Sequence, residues 1–224
     1  MQLPIRHTVA DMTPEGLEEE RVVLGGLAAT VRDLADASLR TTVSTDVVSE
    51  VRAEIERLTA RLRAEQVPGA SGVSLSTGGT VRSHGNAVVG LRNPIAPPLV
   101  IEKSEEGRAW ASFHLGAVYE GPPGLVHGGV AALVLDQMLG EAAAAGGSPG
   151  MTGTLSLRYV QSTPLGDCSA EAWIDRVDGI KTTVKGKLRR ADGGTTVQAE
   201  GIFILPRWAR EALAESGGRP PRFE

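Results

Sequence analysis

The chain has 224 residues, a length that suits one domain or one domain with a helical appendage. Hydrophobic residues make up 41% of it, too many for a disordered protein, while 28 glycines and 13 prolines interrupt it too often for a membrane span. The net charge of −4 weakens any case for nucleic acid as a partner, because proteins bind its phosphates through cationic patches.

Residues 1–66 carry helical periodicity and are predicted to be an N-terminal helical extension. We predict a helix from Glu15 to Leu39 that is broken or kinked at the glycine pair 25–26. This extension holds eight arginines, no lysine and twelve acidic residues. Its acidic excess has the wrong sign for a DNA-binding arm.

A second helix is predicted after a possible N-cap at Ser44 or Thr45 and before Pro68. Its apolar residues recur at alternating spacings of three and four: Val48, Val51, Ile55, Leu58 and Leu62. This seam spans barely two heptads, so packing on the chain's own domain is favoured over a partner helix. Residues 67–98, rich in glycine, serine and proline, are predicted to form a linker and lid.

Residues 99–206 are predicted to form an antiparallel sheet and one helix, followed by a C-terminal tail at 207–224. Apolar residues alternate after the turn at 105–107, which predicts a strand on either side of that turn. Asp-Gly pairs at 178–179 and 192–193 are typical of tight antiparallel hairpins. Four β-rich runs beyond residue 150 are expected to form a meander: 155–159, 168–174, 180–188 and 195–205.

Residues 127–146 contain a run, 130–135, that is apolar on every side, and such a helix has to be buried all round. Asp136, Gln137 and Glu141 lie in the same helix and argue against a membrane span. The predicted fold class is therefore α+β, with an antiparallel β-sheet wrapped around a long central helix.

Asp136 is the most informative residue, because a carboxylate after six apolar residues loses hydration on burial and has to find partners or take part in chemistry. An ion pair with Arg158 or His127 is the structural alternative. Gly128 and Gly129 lie at the start of the helix, where free amides favour negative charge and could stabilise an oxyanion. Close packing of the helix on the sheet is the alternative for these glycines.

Helix geometry separates the acid from the amides. The eight residues from Gly128 to Asp136 rise about 12 Å, and we expect His127 and Asp136 on opposite faces. One chain therefore cannot assemble one site. Two copies of the helix, antiparallel across a two-fold axis, would place Gly128 of one chain opposite Asp136 of the other. We expect an obligate homodimer with two composite sites.

The segment 120–129, with its Gly-Pro-Pro-Gly and His-Gly-Gly sequences and with Asp136 nine residues after His127, resembles the hotdog-fold acyl-CoA thioesterases of the phenylacetate-pathway and human thioesterase-superfamily type. Thr152, which opens the strand leading to Tyr159 and Pro164, adds to a match over residues 93–205. The resemblance implies a hotdog fold, dimers with a continuous sheet and often tetramers.

The resemblance also implies roles for individual residues. Gly128 looks like the amide that polarises the thioester carbonyl, and His127 looks like the residue that orients its loop. Asp136 of the partner subunit resembles the general base or the nucleophile, and the resemblance does not choose between them. Thr152 matches a hydroxyl that holds the lytic water or the carboxylate. Some relatives carry asparagine at the position of Gly121, so that contribution is absent here.

Gly129, at the same helix start, is a further candidate for substrate binding. Four cations share parity on one strand and either bind the phosphates of CoA or form a solvated polar face: Lys181, Lys185, Lys187 and Arg189. Three histidines show no metal-ligand spacing: His7, His84 and His114. We expect no metal and no organic cofactor.

Hydrolysis of an acyl-CoA thioester in fatty acid metabolism is the leading function, with the small residues 142–145 leaving room for a fatty chain. A non-catalytic acyl-CoA-binding regulator is the alternative, and no Asp/His motif of a hotdog dehydratase or hydratase is present. Cys168, the single cysteine, is interpreted as a core residue. Without a disulfide framework, and with residues 1–4 unlike a signal peptide, the expected compartment is a reducing cytoplasm.

Overall fold

The computed structural model describes residues 7–10, 13–69, 73–76, 80–207, 210 and 222–223. Most of the predicted C-terminal tail lies outside the described residues. The helices are α1 (Pro14–Arg40), α2 (Thr45–Arg63) and α3 (Gly128–Ala145), with a 3₁₀ helix at Ala117–Tyr119. The strands in chain order are β1 (His7–Ala10), β2 (Val73–Ser76), β3 (Thr80–Arg82), β4 (Glu102–Ser104), β5 (Arg108–Leu115), β6 (Met151–Tyr159), β7 (Gly166–Asp178), β8 (Lys181–Arg190), β9 (Thr195–Ile204) and β10 (Arg222–Phe223).

The main sheet has the strand order β4-β5-β7-β8-β9-β6, and all of its neighbours are antiparallel. The predicted meander is right for β7, β8 and β9, whose hairpins turn at Gly179 and Gly193 with positive φ. It is wrong for β6. β5 pairs with β7 along its whole length, which occupies the side of β7 that a meander would give to β6. β6 pairs with β9 instead and becomes an edge strand.

A second, smaller sheet has the order β1-β2-β3-β10, with β1 and β2 parallel. The strand β1 was not predicted, because the periodicity of residues 1–66 is helical. No helix in the described part of the chain is both long and apolar enough to cross a membrane.

The core lies between α3 and the inner face of the main sheet. Residues of β5 alternate strictly between exposed and buried, as the period-two pattern predicts. On the helix, Val134, Leu135, Met138 and Leu139 are wholly buried. This arrangement confirms the predicted fold class, a sheet packed around one central helix.

The prediction that α3 is buried all round is wrong on one side. Gly129 is exposed, Leu133 is 39% exposed, and Ala132, Asp136 and Gly140 are only partly covered. These residues recur at helical spacing and form an open stripe along α3. The described part of a single chain therefore leaves this stripe of its central helix partly open to solvent.

The helix α1 runs unbroken through the glycine pair at which a break was predicted. A methyl group on Gly25 would come within 2.7 Å of Leu91 Cδ1, so glycine lets the helix lie close to the loop at 84–96. Arg32 Nε also donates to the Ala96 carbonyl oxygen at 3.0 Å. Packing against this loop offsets the low helix propensity of the two glycines.

The helix α2 begins where it was predicted to begin. Its N-cap is Ser44, whose Oγ accepts the Val47 N–H at 3.5 Å. However, none of its residues is buried, and no other helix or strand of the described residues packs along it. The favoured interpretation, in which the seam packs on the chain's own domain, is therefore wrong for the described part of the chain.

Candidate active site

The start of α3 is organised by His127, its N-cap. The Nδ1 atom of His127 accepts the Gly129 N–H at 3.0 Å, so the proton of the neutral ring lies on Nε2. The His127 carbonyl accepts the N–H groups of Val130 and Ala131 at 2.9 and 3.2 Å. Among the described residues, none accepts a hydrogen bond from the Gly128 N–H. The Gly128 amide is therefore the donor that the first turn offers to a ligand.

Tyr159, at the end of β6, holds the other side of Gly128. Its hydroxyl donates to the Gly128 carbonyl oxygen at 2.8 Å, and its ring would lie 3.4 Å from a Cβ at Gly128. The peptide group that joins Gly128 to Gly129 is thus held at its carbonyl by Tyr159 and at its N–H by His127. In the sequence Tyr159 served only as the end of a strand, and nothing in the pattern indicates this contact.

The predicted acid, Asp136, lies partly covered on the open stripe of α3. Its Oδ1 atom accepts the hydroxyl of Thr152, the second residue of β6, at 2.9 Å. Among the described residues, neither Arg158 nor His127 forms an ion pair with Asp136. The structure thus brings two of the predicted site residues, Asp136 and Thr152, into direct contact.

The contact of Thr152 with Asp136 and the contact of Tyr159 with Gly128 lie at opposite ends of β6. Thr152 and Asp136 lie at its beginning, and Tyr159 and Gly128 at its end. A helical rise of about 12 Å between Gly128 and Asp136 is too long for both to contact one small reacting group within one chain. In the described structure β6 pairs only with β9, and its residues are mostly exposed. One chain therefore presents the two candidate groups far apart, at opposite ends of a strand whose other edge is unpaired in the described structure.

A cavity of about 430 Å³ opens beside Gly128. Most of its lining is apolar: Pro122, Leu125, Val126, Ala131, Tyr159 and Val160. Its volume falls in the range of about 300–1,000 Å³ that is common for small-molecule sites. The free Gly128 amide therefore lies beside a cavity of the size that binds small molecules.

Gly121, where some relatives carry asparagine, lies directly against the helix cap. A Cβ at Gly121 would come within 2.8 Å of His127 Cα. A side chain at this position would thus displace the backbone of the N-cap. Glycine at this position therefore leaves room for the His127 backbone and supplies no side chain of its own.

The predicted cationic strip faces away from α3. Val184, Gly186 and Leu188 of β8 are buried towards α3, so alternation places the intervening lysines on the opposite face of the sheet. On that face Lys185 forms an ion pair with Asp175 at 2.9 Å, and Arg189 forms one with Glu171. The Lys187 ammonium lies 5.3 Å from the ring centroid of Trp173. Lys181 is exposed. The structure fits a solvated polar face, and a role in CoA binding stays a prediction.

A buried polar chain on another side of α3 was not predicted. Glu141, only 9% exposed, accepts from Lys103 Nζ at 3.1 Å and from Gln137 Nε2 at 2.7 Å. Asn86 Nδ2 in turn donates to Gln137 Oε1 at 3.3 Å. These contacts tie β4 and the loop at 84–93 to the central helix. The available signal in the sequence was the presence of Gln137 and Glu141 in an otherwise apolar helix, which indicated only that the helix does not span a membrane.

Cys168 is buried in the core, as predicted. Burial, with the nearby Asp167 carboxylate adding to it, raises the pKa of the Cys168 thiol to about 11. Such a thiol is neutral near pH 7 and is a poor nucleophile. In the described ranges, no three His, Cys, Asp or Glu side chains form a group that could hold a metal ion.

The chain is similar to known proteins in both sequence and structure. A family model described as the thioesterase superfamily matches residues 123–197. A crystal structure described as a thioesterase superfamily protein is 36% identical, and the match covers 81% of this chain and 94% of that one with a TM-score of 0.72. A Bacillus halodurans protein solved with CoA is 26% identical over 48% of this chain and 74% of that one, with a TM-score of 0.43.

A curated relative is the acyl-coenzyme A thioesterase THEM4 of Bos taurus. It is 30% identical over an alignment of 110 positions, and the match covers 47% of this chain and 44% of that protein. The match therefore spans less than half the length of this relative.

Proposed function

Because the chain belongs to the thioesterase superfamily, we propose that it hydrolyses an acyl-CoA thioester to CoA and a carboxylic acid. The observation that carries the proposal is the arrangement along β6, with an acid held by a hydroxyl at one end and an unused helix N-terminal amide at the other. The similarity to an acyl-coenzyme A thioesterase supports CoA as the thiol.

The two halves meet if two copies of the chain pair along β6. Antiparallel pairing of two free edges places the beginning of one strand beside the end of the other. Asp136 of one subunit then faces the Gly128 N–H of its partner. The open stripe of α3, with the exposed side chains of Leu133, Met151 and Tyr159, supplies apolar surface for such a contact. The proposed unit is a homodimer, and a tetramer of two such dimers is compatible with it.

The chemistry follows from these two groups. The Gly128 N–H, at the positive end of α3, polarises the thioester carbonyl and stabilises the oxyanion that forms on attack. Asp136 either takes a proton from an attacking water or attacks the carbonyl carbon itself to give an anhydride that water then opens. In both routes the C–S bond breaks, CoA leaves and receives a proton, and one water is consumed. Neither route needs a metal or an organic cofactor.

Three further residues position these groups. Thr152 holds one carboxylate oxygen of Asp136 and leaves the other for water or for the thioester. Tyr159 and His127 hold the peptide group next to the Gly128 amide, so the donor is oriented before substrate binds. Fixed donors of this kind need no reorganisation when charge develops.

The cavity beside Gly128 is the proposed place of the substrate next to its thioester. Its apolar lining suits an acyl group or the pantetheine arm. Ala142 and Ala143, expected to leave room for a fatty chain, are packed in the core at 0% exposed, which argues against an open passage there. A series of acyl-CoAs of increasing chain length would give the preference.

The proposed function is tested by thiol release from a panel of acyl-CoAs. Asp136→Asn keeps the size and the hydrogen-bonding oxygen of the side chain but removes its charge. We expect it to abolish nearly all release while fold and oligomer size are retained. Unchanged turnover would remove Asp136 from the mechanism, and acyl-CoA binding by the wild-type protein without any turnover would favour the non-catalytic binding module.

A further inference from the structure

The helix α2 carries an apolar seam that the described part of its own chain leaves uncovered. No residue of α2 is buried. Ile55 is partly covered, and the other seam residues are between 40% and 56% exposed: Val48, Val51, Leu58 and Leu62. Most of the stability of a helix in a protein comes from packing of its apolar face, so a partner that covers the seam would stabilise α2.

The seam has the spacing of a coiled coil. Its five residues alternate by three and four, which assigns Val48, Ile55 and Leu62 to position a of a heptad and Val51 and Leu58 to position d. Glu54 and Arg61 then both fall at position g, directly beside the seam.

The charges of α2 change sign along its length. Its first half, residues 45–54, contains Asp46, Glu50 and Glu54 against Arg52. Its second half, residues 55–63, contains Arg57, Arg61 and Arg63 against Glu56. The helix is therefore acidic at its beginning and basic at its end. Its charge pattern is complementary to that of a second copy that runs in the opposite direction.

From this pattern we propose that α2 pairs antiparallel with α2 of a second copy of the chain. This orientation sets the acidic half of each helix against the basic half of the other. When Ile55 faces Leu58 of the partner subunit, Val51 faces Leu62 of the partner subunit. Glu54 then lies beside Arg61 of the partner subunit, and two-fold symmetry repeats the pair.

Other occupants fit these features less well. A parallel pair would set like halves side by side and would bring Glu54 to Thr59 of the partner subunit, with no ion pair. A lipid surface selects helices with an excess of Lys and Arg, whereas α2 carries four acidic residues and four arginines. Self-complementary charge is the property expected of an isologous contact between identical chains.

Disulfide trapping in the full-length chain tests the pairing and its direction. Chains with Val51→Cys and chains with Leu62→Cys are co-expressed with different tags and then oxidised. We expect a covalent dimer that contains one chain of each kind, and little cross-link from either variant alone. Cross-linking of each variant with itself would indicate a parallel pair, and absence of the mixed dimer would overturn the proposal.

Two controls use the same chain. Ala53→Cys lies on α2 at heptad position f, away from the seam, and should not trap with Leu62→Cys. The wild-type chain should not cross-link, because Cys168 is buried.

Charge reversal tests the register. Adding Glu54→Arg to both trapping variants sets two like-charged pairs beside the seam, and we expect trapping to slow by on the order of threefold to tenfold. Adding Arg61→Glu as well should restore the rate. Trapping that ignores both changes would contradict the proposed register.

The inference does not rest on the proposed function. Thiol release is measured on the same samples to separate the two. Absent trapping with normal hydrolysis overturns only the α2 pairing, and normal trapping in a chain that hydrolyses no thioester overturns only the proposed function.

Discussion

The hydroxyl of Thr152 donates to the carboxylate of Asp136 at 2.9 Å, so the beginning of an edge strand and the middle of the central helix share one polar contact. The contact lies on the open stripe of α3. Among the described residues, no cation forms an ion pair with the Asp136 carboxylate there. The proposed hydrolase uses this carboxylate against a carbonyl that is bound by the partner's Gly128.

Thr152→Ala removes the hydroxyl that positions Asp136. A hydrogen bond to a charged group contributes about 1.5–3 kcal/mol, so we expect kcat for thiol release to fall by about tenfold to a hundredfold. Thr152→Ser keeps the hydroxyl and is the matched control, with most of the wild-type rate. Equal rates for the alanine variant and the wild-type protein would show that this contact does not position the acid.

Tyr159→Phe removes the hydrogen bond to the Gly128 carbonyl but keeps the ring against the backbone. A neutral hydrogen bond contributes about 0.5–1.5 kcal/mol. If it orients the amide, the loss should appear as a fall in kcat of about threefold to tenfold, with KM little changed. Circular dichroism and thermal unfolding check that the fold is kept. A change in Tm without a change in kcat would assign Tyr159 a purely structural role.

We expect the Cys168 thiol to be unreactive towards thiol reagents in the folded protein. Burial raises the pKa of its thiol to about 11, so only about one thiol in a thousand is ionised at pH 8. A chromogenic thiol reagent at pH 8 should give no fast reaction with native protein and one equivalent after unfolding in denaturant. Stoichiometric labelling of the native protein within seconds would contradict both the burial and the raised pKa.

Much of the fold was predictable because its signals are local. Alternation marked β5, Asp-Gly pairs marked the hairpins that join β7 to β8 and β8 to β9, and the apolar run marked α3. The place of β6 in the sheet was not predictable in this way, because strand order depends on pairing between residues far apart in the sequence. Here β5 pairs with β7, and β6 pairs with β9. The unbroken α1 likewise depends on Leu91, some 66 residues away from Gly25.

The sequence indicated the candidate groups Asp136 and Gly128 but not the contacts that hold them. Asp136 attracted notice because a carboxylate is costly in an apolar helix, and Gly128 because helix starts expose amides. The bond from Tyr159 to Gly128 joins residues 31 positions apart on a helix and a strand. No spacing rule connects two such residues, so only the folded chain reveals their contact.

In the proposed enzyme each active site takes Gly128 from one chain and Asp136 from the other. Gly128→Pro removes the proposed donor at the first helical position, where proline is tolerated, and Gly128→Ala is its control because it keeps the N–H. Homodimers of Gly128→Pro and of Asp136→Asn should both be nearly inactive.

Co-expression of the Gly128→Pro chain with the Asp136→Asn chain is the most direct measurement. In a mixed dimer one of the two composite sites regains both an intact amide and an intact acid. Random mixing should therefore restore about one quarter of the wild-type thiol release. Activity that stays at the level of the two inactive homodimers, although mixed dimers are present, would contradict a site shared between subunits.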